Sequence, residues 1–258
     1  IFTLPAETYL YEQCAVIEPL QIYGARQAYR LALANKLQPD WLSAYKQMQT
    51  PGPYSPNAVS VGKRALKNLA LSMLLLADSQ DLIIQQLALE QYQQANNMTD
   101  RFGALAALVL QGAPKAVDCL ADFYQRFADN PLVIDKWFAL QAMCSLDEPL
   151  ARVRGLRNHP AFKMTNPNRV RSLIHTFCIS NPAGFHQWNG GGYAFWAEAV
   201  LELDLINPQV AARLARAADR WHSFAKPYQS KMRAALEQVA ANAKLSADVR
   251  EVVNKALE

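Results

Sequence analysis

The sequence predicts an all-α fold made of stacked antiparallel helix pairs. Apolar residues recur at spacings of three and four along most of the chain, and residues suited to N-cap positions precede many of these segments. Convincing strand patterns are absent. With 258 residues, 51% of them hydrophobic, such a stack can bury a substantial core.

The helical period is clearest in the first third of the chain. Apolar residues follow one face between Pro19 and Lys36 and again between Val59 and Ala77, where the second half is apolar nearly all round. Loops are predicted at Pro51–Pro56 and at Ile179–Gly192. Further helices are predicted at 99–111, 114–128, 131–145, 148–156, 167–178, 192–205, 207–221, 227–241 and 246–257.

Helix starts are marked by side chains that can accept a hydrogen bond from a first-turn N–H group. These predicted N-caps are Asp40, Thr99, Asn130, Asn166, Asn207 and Ser246. Short connections between helices favour antiparallel neighbours, and such pairs stack into a curved superhelix of the HEAT or armadillo kind. No strict repeat is visible and no linker stands out, so residues 1–258 are predicted to form a single domain.

Composition excludes several classes of protein. The net charge of +4 is a small excess over a large surface, which does not indicate nucleic-acid binding. No apolar stretch approaches the roughly 18–20 residues of a membrane helix. The start, Ile1–Pro5, lacks the pattern of a signal peptide, and we interpret the chain as a fragment of a larger cytoplasmic protein. The four cysteines are widely spaced and are predicted to be buried, reduced thiols.

Residues for catalysis or metal binding are not arranged in a familiar motif. The four histidines, His159, His175, His186 and His222, show no H-x-x-x-H spacing, so neither a zinc site nor a catalytic residue is predicted. The run Gly190–Gly192 precedes a helix but follows no strand, which favours a turn over an anion-binding loop.

Two arginines are the candidate binding residues. Arg169 and Arg171 follow the Asn166–Pro167 helix start, where a positive side chain is disfavoured by the helix dipole unless an anion is near, and Arg171 is the candidate of the two. Arg213 lies on the next Asn-Pro helix with Gln209 four residues earlier on the same face. They suit a peptide carboxylate or carbonyl. The alternative is that they are surface charges or pair with acidic residues.

Six segments, in order and with similar gaps, resemble the C-terminal region of bacterial aminopeptidase N, a family of zinc enzymes of the gluzincin type. The resemblance runs from about Leu4 to Glu258. The segments are Asn96–Asp100, Asp135–Phe138, Asn166–Leu173, Asn181–His186, Asn207–Leu214 and Lys231–Gln238.

The resemblance implies a helical domain that closes over the active site of a peptidase removing N-terminal amino acids from peptides. It implies zinc in an upstream catalytic domain carrying H-E-x-x-H, so the isolated chain is expected to be inactive. By the motif match Arg171, Arg213 and Gln209 are expected to bind substrate. The family's acidic residue before the glycines is absent here, where the sequence is Gln187-Trp188-Asn189.

Two classes of function therefore follow from the sequence. The first is an accessory domain of an aminopeptidase, whose partners are the upstream catalytic domain and a peptide substrate. The second is a free-standing helical-repeat scaffold that binds a protein or peptide on its concave face. The apolar first segment, which includes Tyr9, Val16 and Leu20, favours the first because a free-standing solenoid needs polar caps at both ends.

Overall fold

The computed structural model describes residues 4–258 of the chain. Within that range the regular structure is helical, and the sole β-type pairing is an isolated parallel bridge between Ile17 and Phe224. The predicted all-α fold is confirmed. The absence of strands follows from the sequence, whose apolar residues keep a helical period almost throughout.

Sixteen α-helices are present in the described range. They are α1 Glu7–Glu12, α2 Pro19–Lys36, α3 Gln38–Gln47, α4 Ala58–Ala77, α5 Leu82–Gln94, α6 Met98–Leu110, α7 Ala116–Phe127, α8 Pro131–Met143, α9 Pro149–Arg157, α10 Pro167–Val170, α11 Thr176–Ser180, α12 Pro182–Phe185, α13 Gly191–Asp204, α14 Pro208–Ala215, α15 Lys226–Ala240 and α16 Ala247–Leu257. A π-helix, Arg171–His175, joins α10 to α11, and 3₁₀ turns occupy Arg216–Ala218 and Trp221–Ser223.

The described chain groups into two compact units, one of residues 26–140 and one of residues 4–25 with 141–258. In the first, α3 packs on α4, α5 packs on α6, and α4 also packs on α6. Leu71, Leu105 and Phe123 lie fully buried between these helices. A division of this kind is compatible with one domain, so the single-domain assignment for 1–258 stays a prediction.

The second unit is built around α13. This helix packs against α14 and α15, and α16 packs against both of those. Trp196 of α13 is fully buried, and its indole N–H donates to the carbonyl of Leu214 at 2.9 Å. That bond fixes α14 against α13 because a buried indole N–H needs an acceptor.

Several helix starts agree with the predicted caps and two do not. The side chains of Asn130, Asn166, Asn207 and Ser246 each accept from a first-turn N–H. Thr99 is wrong as a cap, since Asn97 caps α6 by accepting from the N–H of Asp100 at 2.9 Å. Asp40 is wrong too: it lies in the first turn of α3, where its carboxylate suits the positive end of the helix dipole.

Other predictions need local correction. Three helices, α1, α3 and α5, were not predicted as separate segments, although a helix start was expected at Asp40. In α5, polar residues such as Gln85 and Gln91 interrupt the apolar stripe. The supposed loop Ile179–Gly192 contains the end of α11 and all of α12. Of the four cysteines, Cys119, Cys144 and Cys178 are buried, as predicted, whereas Cys14 is exposed. In the described residues no helix is long and apolar enough to cross a membrane.

Candidate functional site

The segment that carries Arg171 begins with a well-formed helix cap. The side-chain oxygen of Asn166 accepts from the N–H groups of Asn168 and Arg169 at 3.0 and 3.3 Å. Pro167 takes the first helical position, where its missing N–H costs no hydrogen bond. Asn-Pro in the sequence is therefore enough to start α10 at the observed residue.

After one turn the helix widens into a π-helix from Arg171 to His175. The carbonyl of Arg171 accepts both the backbone N–H and the hydroxyl of Thr176, the latter at 3.0 Å. The sequence predicted an uninterrupted α-helix over 167–178, which is wrong at this point. A π-turn inside an α-helix is uncommon and often occurs at functional sites.

The predicted binding residues are all exposed to solvent. Arg171 donates to the side-chain oxygen of Asn168 at 2.5 Å. Arg213 lies in the last turn of α14, and Gln209 lies one turn earlier. Among the described residues neither arginine has a carboxylate partner, so the alternative of an ion pair with Asp or Glu does not hold for them. The enclosed cavity that the resemblance implies stays a prediction.

The structure brings both arginines close to His175. The imidazole is half-buried, and burial lowers the pKa of His175, with the positive charges of Arg213 and then Arg171 lowering it further. Both guanidinium groups therefore act on one imidazole, although 42 positions separate them in sequence. His175 was not singled out from the sequence, where the only signal was its spacing four residues after Arg171 on the same helix.

Arg169, two residues before Arg171, has a different role. Its side chain is buried, and its Nε donates to the carbonyl of Ala161 at 3.0 Å. This contact ties the start of α10 to the preceding turn, so Arg169 is a structural residue. Arg169 is therefore buried, whereas Arg171, two residues later, is exposed.

The segment before α13 is fixed by packing rather than open to a ligand. The buried side chain of Asn181 donates to the carbonyls of Ala142 and Cys144 at 2.8 and 3.0 Å. The N–H of Gly191 is already taken by the side chain of Asn189 at 2.8 Å. Gly190 adopts φ 78°, in the region that favours glycine. The prediction of a turn at the glycine run is consistent with this geometry.

Metal ligands do not come together in the described residues. No group of three His, Cys, Asp or Glu side chains there has an arrangement that could hold a metal ion. His186, for example, is buried against the rings of Tyr193 and Phe224 and bonds through Nδ1 to the hydroxyl of Tyr193 at 2.7 Å. A zinc ion therefore finds no fitting set of donors in this part of the chain.

Comparison with known proteins adds a family to this geometry. Residues 1–258 match a family described as a domain of unknown function (DUF3458_C) with ARM repeats. The chain belongs to this family. The packed helix pairs of the ARM-repeat domain agree with that description, and with the predicted HEAT- or armadillo-like architecture.

Curated relatives and a solved structure give the domain its context. Aminopeptidase N of Escherichia coli strain K12 is 38% identical over 257 residues, all of this chain and 29% of that protein. Aminopeptidase N of Caulobacter vibrioides is 37% identical over 259 residues, all of this chain and 30% of that protein. The crystal structure of Legionella pneumophila aminopeptidase A in complex with aspartic acid has a TM-score of 0.88 and 31% identity, covering 99% of this chain and 31% of that one.

The ARM-repeat domain thus corresponds to the C-terminal region of aminopeptidases, as the resemblance implied. It spans less than a third of the length of the relatives it matches. The activity of a whole aminopeptidase is therefore proposed for this chain in the next section.

Proposed function

We propose that the ARM-repeat domain is part of a zinc aminopeptidase that removes N-terminal amino acids from peptides, and that it holds the far end of the substrate. Arg171, Arg213 and Gln209 are the residues proposed to contact the peptide beyond the bond that is cut. The observation that carries this proposal is the pair of exposed arginines beside His175, neither of which has a carboxylate partner among the described residues.

The chemistry of the arginines suits a peptide carboxylate. A guanidinium group can donate two parallel hydrogen bonds to one carboxylate, which sets orientation as well as affinity. Because burial and both arginines lower the pKa of His175, its imidazole stays neutral near pH 7 and adds an uncharged donor or acceptor to the proposed site. Fixing the far end of a short peptide helps to place the scissile bond for reaction.

Zinc would be held by a part of the protein outside this chain, because the described residues offer no fitting donor set. The isolated chain is expected to leave an alanyl anilide uncleaved. The cytoplasmic location is also proposed, supported by the buried thiols of Cys119 and Cys178, which form no disulfide. A free-standing scaffold is the less favoured alternative, since the relatives carry this region within aminopeptidases.

The decisive variant is Arg213→Ala in the full-length protein. Turnover of di- and tripeptides should fall by about tenfold or more, since a charge-assisted pair contributes roughly 1.5–3 kcal/mol. An aminoacyl anilide has no carboxylate to reach Arg213, so its turnover should be nearly unchanged. Arg213→Lys should restore only part of the peptide activity, because the planar fork of donors is lost. Steady-state kcat/KM for both substrates measures the effect.

Arg233→Ala is the matched control. Arg233 is exposed and pairs with Glu237 one turn later at 2.8 Å, so its loss removes the same charge away from the proposed site. That variant should leave both activities near those of the parent. Equal losses on peptide and anilide in Arg213→Ala, accompanied by a lower melting temperature, would instead assign Arg213 a structural role and defeat the proposal.

A further inference from the structure

Arg64 of α4 is a buried cation whose charge is not balanced by an acid. Its side chain is 3% exposed, yet no carboxylate pairs with it among the described residues. Arginine is rarely buried to this degree unless it is paired, because removing a charge from water is costly. The residue lies in the unit formed by residues 26–140, remote in sequence from the arginines beside His175.

The contacts that Arg64 does make leave most of its donors unused. One Nη2–H donates to the carbonyl of Ser55 at 2.8 Å, and the guanidinium carbon lies 4.8 Å from the centre of the Tyr54 ring. A guanidinium group has five N–H donors. Among the residues that the structure describes, no acceptor is found for the others.

A cleft of about 210 Å³ lies against Arg64, and we call it the Arg64 cleft. Its walls include Tyr54, Ser55, Val59, Ser60, Lys63 and Arg64. It contains two cations, and no aspartate or glutamate lines it. Lys63 has no hydrogen-bond or ion-pair partner in the described part of the chain. The cleft therefore combines two unbalanced positive charges in a small space.

The start of α4 adds to the positive potential of the cleft. This helix is 20 residues long and carries no acidic residue in its first turn, and Val59 and Ser60 of that turn line the cleft. The side chain of Asn57 already accepts the N–H of Ser60 at 2.8 Å, so the start of α4 contributes the partial positive charge of the helix dipole. The hydroxyl of Ser60 is a further donor. A guanidinium, an ammonium and a hydroxyl group therefore line the same cleft.

The unused donors of Arg64 are reachable from solvent. Among the described residues, a single buried side-chain nitrogen or oxygen atom has neither contact with solvent nor a hydrogen-bond partner. That atom is Oε1 of Gln91. The partnerless nitrogens of Arg64 are consequently not sealed. Arg64 keeps 3% of its surface exposed, and it is one of the residues that line the cleft.

We propose that the Arg64 cleft is a binding site for a small oxyanion of the phosphate class. A bound anion would balance Arg64, which explains how a buried cation is tolerated there without an acid from the chain. The several oxygens of a tetrahedral phosphate offer acceptors for Arg64, Lys63 and the Ser60 hydroxyl, whereas a carboxylate offers two oxygens in one plane. Inorganic phosphate and the phosphate group of a small metabolite share this chemistry.

Calorimetric titration of the full-length protein with inorganic phosphate, at constant ionic strength, tests the proposal. Arg64→Met keeps the apolar length of the side chain and removes the charge, and it should weaken binding at the cleft by at least about tenfold. Lys63→Met, at a half-buried position, should weaken it in the same direction and remains informative if Arg64→Met does not fold. Arg126→Met is the control, since Arg126 is exposed, pairs with Asp122 and does not line the cleft.

The outcomes are distinct. Weaker binding in both cleft variants with unchanged binding in Arg126→Met supports the site. Absence of phosphate binding in the parent protein, or binding that neither cleft variant alters, overturns it. Acetate bound as tightly as phosphate would overturn the assignment to the phosphate class, because a carboxylate would then satisfy the same donors. None of these results depends on the proposed role of Arg213.

Discussion

Lys67 and Asp100 form an ion pair at 2.8 Å in which the two side chains are 5% and 6% exposed. The pair joins α4 to α6, and the carboxylate also accepts from the side-chain amides of Asn68 and Asn97 at 3.2 and 3.1 Å. In turn, the Asn68 oxygen accepts from Gln91 of α5 at 2.7 Å. A buried polar network therefore links three helices of the unit formed by residues 26–140.

Removing one partner of this pair should destabilise the protein strongly. Lys67→Met leaves a buried carboxylate without its cation, and the expected loss in the free energy of unfolding is about 3–5 kcal/mol. The double variant Lys67→Met with Asp100→Leu should recover part of that loss, since no charge then stays buried alone. Urea unfolding of the three proteins measures it. Lys115→Met is the control, because the exposed ion pair of Lys115 with Asp118 should contribute little to stability. If it lost as much stability as Lys67→Met, burial would not explain the effect at Lys67.

His186 should make the protein sensitive to acid. Burial lowers the pKa of His186 to about 3, from 6.5 for an ordinary histidine. Its ring packs edge-on against Tyr193 and Tyr228, which are neutral near pH 7. Between those pKa values the unfolded chain binds a proton that the folded chain does not, so stability falls as the pH drops below 6.5.

The contribution of His186 can be isolated with His186→Asn, which keeps an acceptor near the position of Nδ1. Between about pH 6.5 and pH 5 the histidine should account for up to about 2 kcal/mol of lost stability, at 1.36 kcal/mol per pH unit. The variant should therefore show a smaller difference in unfolding free energy between about pH 7.5 and pH 5. His222→Asn, at an exposed position, is the control; an equal change in both variants would exclude a special role for His186.

Gly192 is required by the close approach of two backbone segments. A Cβ atom built there would lie 2.0 Å from the carbonyl oxygen of Phe185, and backbone cannot move aside as a flexible side chain can. Gly192→Ala should therefore destabilise the protein by more than about 2 kcal/mol. Thermal unfolding monitored by circular dichroism is the measurement.

Gly155→Ala provides the opposite expectation within the same unit. Gly155 lies in α9, and a Cβ there meets nothing within 4 Å. Alanine should stabilise the protein by about 0.5–1 kcal/mol, because glycine loses more backbone freedom on folding. Similar melting temperatures for Gly192→Ala and Gly155→Ala would show that the close backbone contact at Gly192 does not require glycine.

The sequence alone determined the all-α class, most helix starts and the family. Helical period and the Asn-Pro caps at Asn166 and Asn207 are local signals, so they can be recognised without knowing what packs where. The candidate residues Arg171 and Arg213 were likewise found from position and motif. That they act on peptides and lie in an enclosed cavity remains a proposal.

The π-helix at Arg171–His175 is a local feature that the sequence did not predict, with bonds from Thr176 back to the carbonyl of Arg171. Tertiary structure decided the features that depend on residues distant in the chain. The shared influence of Arg171 and Arg213 on His175 requires two helices to meet. The burial of Arg64 without an acid could not be predicted either, because a helical period indicates which face is apolar but not which charges the packing encloses.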